Sequence, residues 1–145
     1  MNKRDLSIGS IVYNIQMNVV VEVVELYKKK ARIVGQIKSG KYVTPFELEQ
    51  DYDLIEGVEI NEDSLQKIGF VWIEDRHRHL AYYFADMKLT YRYDKRNRMS
   101  RFIFTDFKKT YTRISCEYIH ELQNIMRFLT GSELEFKYNH NEQTV

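Results

Sequence analysis

The sequence holds one cysteine, Cys116, and one proline, Pro45, in 145 residues. A single thiol cannot close an internal disulfide or furnish a cysteine-rich zinc site, and a reducing compartment is the expected setting. One proline and six glycines exclude a low-complexity chain or a long linker. Apolar runs such as Val19-Val20-Val21 are far too short to cross a bilayer, and the opening MNKRDLSIGS has no apolar signal core. The expectation is a cytoplasmic protein with no membrane partner. Also missing are a Gly-rich phosphate loop and an HExxH helix. No cofactor and no metal are expected.

What is present is apolar mass. Hydrophobic residues make up 43% and aromatics 14%, enough for a core and too much for a disordered chain. The net charge is +1, but it is unevenly spread. Residues 1–75 carry 9 basic and 13 acidic side chains, residues 76–113 carry 11 and 3, and residues 114–145 carry 2 and 5. A near-neutral total thus hides a basic middle, the main electrostatic fact of the sequence.

Residues 1–58 read as a small β module of five short strands with tight turns, on the pattern of an SH3-like, half-open barrel. Four of them are placed at 8–13, 19–26, 31–37 and 42–47. Glu22 and Glu25 break the period of two inside VVVEVVEL, which predicts a bulge or an exposed end. Lys38-Ser39-Gly40-Lys41 predicts a hairpin turn, and Pro45 belongs on an edge or at a strand end. Residues 59–145 read as a helix, a β-meander and a C-terminal helix, in one compact unit with the first module or beside it. Asn61 is placed to cap the short helix, Ile60 and Leu65 to staple it, and Gly69 to end it. From Phe70 to Ile114 the period becomes two, with turns at 94–98 and 106–109. Ser115 is placed to cap the last helix, which buries Tyr118, Leu122, Ile125 and Leu129 across the meander and stops at Gly131. A final strand is expected at 134–138, followed by a loose polar tail. The fold class is α+β, mainly antiparallel.

Three segments, DLSIGSIVYN, INEDSLQKIGF and YIHELQNIMRFLTGSELEF, bracket nearly the whole chain. Together they resemble a family of small proteins of gut Bacteroidetes and of their phages and mobile elements. The closing segment carries most of the likeness, through Tyr118, His120, Leu122, Gln123, Asn124, Leu129, Thr130, Gly131, Glu133 and Leu134. Glu121, Met126, Arg127 and Ser7 depart from the pattern. The resemblance implies a phage or mobile-element setting, and so the host cytoplasm, but no reaction, cofactor or catalytic residue.

Several constellations invite chemistry. His120, Asn124 and Arg127 stand at i, i+4 and i+7 of the last helix and share a polar face that could hold an anion; the same residues serve equally to hydrogen-bond a neighbouring sheet edge. His77 and His79 form a His-x-His pair, but flanking Arg76 and Arg78 oppose a divalent cation. Cys116 and His120 have i, i+4 spacing without a visible oxyanion hole. Glu47, Glu49, Asp51 and Asp53 are alternate-spaced and could chelate a cation, but the same spacing suits a solvated strand end better. The basic, aromatic-rich meander is the strongest lead. Its cations Arg92, Lys95, Arg96, Arg98 and Arg101 lie among tyrosines and phenylalanines, a composition that suits a protein surface or a single-stranded nucleic acid, or none. The sequence points to a non-enzymatic binding protein with a protein partner, contacted through this hairpin; nucleic-acid binding is the alternative. It leaves the oligomeric state open.

Overall fold

The structure, a computed structural model, describes residues 5–74, 79–84, 86–106 and 108–131. In chain order its elements are β1 (Ile11–Asn14), β2 (Val19–Leu26), β3 (Lys30–Ser39), β4 (Tyr42–Asp51), a 3-10 turn (Tyr52–Leu54), β5 (Ile55–Gly57), α1 (Glu62–Lys67), β6 (Val71–Ile73), β7 (His79–Phe84), β8 (Met87–Asp94), β9 (Met99–Thr105), β10 (Tyr111–Ser115) and α2 (Ile119–Thr130). The class is α+β and mainly antiparallel. The described residues fall into two compact units: those up to Val58 together with those from Tyr118, and Glu59–Glu117. The strand expected at 134–138, the polar tail and the Arg76-His77-Arg78 stretch lie outside the described residues.

The first unit is built on a sheet of order β4-β3-β2-β1-β5, all neighbours antiparallel. Among the described residues this sheet does not close, since β4 and β5 are its two edges; the closing contact of a barrel is not made. Val12, Val21, Val23, Ala31, Ile33 and Ile55 form the core, with Leu6 beside them. The register of β2 on β3 shifts between Val23 and Glu25. That bulge resolves the irregular spacing: Glu22 and Glu25, three residues apart, both reach solvent while Val21 and Val23 are buried. The β3–β4 hairpin turns through Gly40 (φ +59°) and Lys41, and its pairing runs without a break from Ser39↔Tyr42 to Lys30↔Asp51. Pro45 sits inside β4, an edge strand.

The terminal helix belongs to this first unit, not to the meander as the sequence pattern suggested. Helix α2 lies against β1, and the Ile119 amide donates to Val58 O at 2.9 Å. The helix also starts later than expected. Ser115 ends β10, and Tyr118 is the N-cap residue without a side-chain cap bond. The buried arc is consequently Ile119, His120, Leu122, Gln123 and Met126. Of the four side chains expected inside, only Leu122 is fully buried; Tyr118, Ile125 and Leu129 are half-buried and Phe128 is exposed. The physical reason is that polar Gln123 and His120 share the inward arc, so apolarity alone misplaces it. Gly131 ends the helix at φ +67°, its amide donating to Arg127 O.

In the second unit, Asn61 and Ser64 form a capping box: the Ser64 amide donates to Asn61 Oδ1 at 2.8 Å and the Asn61 amide to Ser64 Oγ at 3.0 Å. Ile60, Leu65, Ile68 and Phe70 are buried. The five strands follow one another in the order β10-β9-β8-β7-β6, a plain meander. Phe70 packs its ring 5.5 Å from Tyr82 and edge-on to Phe102 at 6.1 Å, and Tyr91 lies 5.4 Å from Phe102. Most rings of the basic segment are therefore core, on the alternation phase that burial requires.

Candidate functional site

The pleat assigns every side chain of the meander to one of two faces, and the register places them in rows. Phe102, Leu80, Leu89 and Phe104 point to the core face. The opposite face has four rows. The first runs Tyr83, Lys88, Thr105, Tyr111 from β7 to β10. The second runs Val71, Ala81, Thr90, Ile103, Arg113 from β6 to β10. The third holds Arg92, Arg101 and Ser115 on β8, β9 and β10. All four Lys and Arg side chains carried by these described strands, Lys88, Arg92, Arg101 and Arg113, fall on this face. The fourth row pairs Asp94 with Met99, and among the described strand residues Asp94 is the one carboxylate on this face.

Arg92 and Arg101 stand directly opposite each other across β8 and β9. Like charges in register destabilise a sheet by roughly 0.2–1 kcal/mol. Asp94 relieves only one of them, through a 3.2 Å contact with Arg101. Lys88, Arg92 and Arg113 make no ion pair among the described residues. Tyr111 and Tyr83 stand out into solvent, 71% and 55% exposed. Lys88 and Thr105 lie between them, and in the neighbouring row Ala81 and Thr90 form a low, buried floor. An open concavity of about 690 Å³ takes in Lys88, Thr90 and Arg92 of this face and also Glu62, Leu80 and Tyr91, which lie outside its rows.

The hairpin tip is a separate feature. Asp94 Oδ1 accepts from the amides of Arg96 and Asn97, and its Oδ2 accepts from Asn97 Nδ2. These bonds, led by that from the Asn97 backbone and helped by nearby Arg101, hold its carboxyl below the usual carboxylate range. Arg98 turns the chain with φ +50°. Lys95, Arg96 and Arg98 are exposed on this turn. The five cations singled out in the sequence thus divide: Arg92 and Arg101 belong to the sheet face, the other three to the tip. Lys88 and Arg113 were not among the cations singled out. Their signal was present in the alternation, since each stands one residue from a buried Leu89 or Ile114 and so must point outward.

The polar face of α2 acts as a strap within the first unit. Gln123 Oε1 accepts from the Ile11 amide and its Nε2 donates to Gly9 O, both at 2.9 Å. Asn124 Nδ2 donates to Asp5 O at 2.6 Å, and its Oδ1 accepts from Ser7 Oγ at 3.2 Å. Arg127 Nη1 reaches the same Ser7 Oγ at 3.0 Å. Asn124 and Arg127 therefore converge on a serine of the N-terminal segment. His120 does not join them: it is fully buried, stacks on Tyr118 at 5.8 Å, and neither ring nitrogen has a hydrogen-bond partner among the described residues. Burial pushes its pKa below the ordinary histidine range.

The remaining candidates come apart. Cys116 is buried and lies between β10 and α2, so the helical i, i+4 relation to His120 is lost. Glu47 and Glu49 on β4 pair with Arg32 and Lys30 on β3. Among the described residues no three His, Cys, Asp or Glu side chains gather as metal ligands, and His77 lies outside them. No described helix is long and apolar enough to cross a membrane. No protein family, curated protein or solved structure matches the chain.

Proposed function

We propose that this is a non-enzymatic binding protein that engages an anionic macromolecular partner through the outer face of the second sheet. The observation that carries the reading is the segregation of Lys88, Arg92, Arg101 and Arg113 onto one pleat face, with a like-charged pair in register. Such crowding costs stability and is relieved by an anion from outside. An acidic protein surface fits this chemistry, as does a phosphate backbone. The resemblance of the closing segment suggests a phage or mobile-element protein acting in its host's cytoplasm.

The test is retention on immobilised heparin. Wild-type protein is expected to bind and to elute with salt. Arg92→Glu with Arg113→Glu is expected to abolish retention, and Arg96→Glu with Arg98→Glu to weaken it only slightly. Equal loss from the two pairs would return the contact to the hairpin tip; no retention of the wild type would end the reading.

A further inference from the structure

We infer that the partner of this face is a single-stranded nucleic acid, held by its phosphates on the arginine rows and by its bases on Tyr83 and Tyr111. This rests on the anionic-partner reading above and narrows it.

The rows set the scale. Tyr83 and Tyr111 lie at the two ends of one row, three strand spacings or roughly 14 Å apart. Arg113 is one row along and Arg92 and Arg101 two rows along, at about 6.7 Å per row. A flexible strand crossing the sheet can set phosphates against the arginines while its bases reach the tyrosine row. A phenol O–H can donate to a carboxylate, as Tyr27 does to Glu25, but that contact leaves the ring face unused, whereas a base stacks on it. A duplex hides its base faces within the stack and presents a stiff outer backbone, so it uses the cations alone. Between the tyrosines stand Lys88 and Thr105; in the next row Ala81 and Thr90 are short, and Thr90 and Thr105 bring hydroxyls that can hydrogen-bond a base edge or sugar. Guanidinium groups at Arg92, Arg101 and Arg113 match phosphate in charge and in forked geometry.

Fluorescence anisotropy with labelled dT20 and rU20, a 20-base-pair duplex and polyglutamate as competitor tests the inference. Either single strand should bind at least tenfold more tightly than the duplex, and the two arms report whether DNA or RNA is preferred. The plot of log K against log salt for the strand should have a slope of about −3, as expected for four neutralised phosphates on a single strand. Arg92→Gln should make that slope shallower by about 0.7. Tyr83→Leu with Tyr111→Leu should weaken strand binding about tenfold or more while leaving heparin retention unchanged. Arg92→Lys with Arg113→Lys keeps the charge and should keep most of the binding. Duplex binding as tight as strand binding, or no effect of the tyrosine pair, would overturn the inference. Retention on heparin with displacement by polyglutamate and no affinity for either strand would overturn it in favour of an acidic protein, and the broader reading would survive. Failure to bind any of the four polyanions would remove both.

Discussion

Gly57 shows how one absent side chain fixes a packing contact. A Cβ built at this position would stand 2.5–2.6 Å from ring atoms of Tyr118. The neighbour is a ring, half-buried at the start of α2, and cannot swing away as a flexible chain end would. Gly57→Ala is expected to cost about 1–3 kcal/mol, by overpacking. Urea unfolding of the two proteins measures it, and Tyr118→Ala in the Gly57→Ala background should recover part of the loss. Gly35 is a second such place, covered by the Phe46 ring. His120 is the residue at which pH enters. Its folded pKa lies below the ordinary value of about 6.5 because burial disfavours the imidazolium. Above that value histidine is neutral in both states and nothing is lost. As pH falls through it the unfolded chain takes up a proton first, so stability declines with acidification until the folded pKa is reached. Melts between pH 7.5 and pH 5 should show this decline, and His120→Phe should flatten it.

Helix α2 illustrates which element-level features sequence carries and which it does not. Its existence, its Gly131 stop and its polar residues were all legible, because helical spacing and a glycine are local signals. Its start and its inward arc were not. Ser115 looks like a cap, yet its backbone pairs with Arg101 in the meander, and sheet pairing outcompetes the cap. Gln123 looks like a surface residue, yet it faces inward because it satisfies the Ile11 amide and the Gly9 carbonyl, a pairing made across more than a hundred residues. The energetic difference between apolar and polar members of the helix is testable. Leu122→Ala removes a fully buried side chain and should cost about 2–5 kcal/mol. Asn124→Ala removes hydrogen bonds to Asp5 and Ser7 at the partly exposed margin and should cost about 0.5–1.5 kcal/mol. Matched denaturant curves decide this, and equal losses would defeat the assignment of the buried arc.

At the scale of the whole molecule, net charge is a poor guide. A chain at +1 would be expected to ignore polyanions, yet retention on heparin is predicted because the cations are sorted by the pleat. Neutralising an exposed acid on the first sheet, as in Glu56→Gln, raises the net charge but should leave the elution salt nearly unchanged. The sorting itself was half legible. The basic middle showed in a simple count, and the alternation of Leu89 and Tyr91 with Lys88 and Arg92 placed two cations. The register was not legible, because cross-strand partners depend on turn lengths at 95–98 and 106–110 that one sequence does not fix. A break near residue 59, where short strands give way to a capped helix, was legible, and the structure also divides there. That the terminal helix belongs to the first of them was not, since such long-range assignment depends on which face has an unsatisfied backbone to receive Gln123.

Pro45 has one further consequence. It stands in the middle of a ten-residue border strand, still in register with Gln36. Proline has no amide hydrogen, so that pairing is held by flanking residues and the missing donor falls on the open side. A foreign chain trying to zip along β4 would meet a gap halfway, with Glu47, Glu49 and Asp51 beyond it. The long border is thereby made a poor template for stacking of one molecule on the next, a safeguard written in a single imino acid.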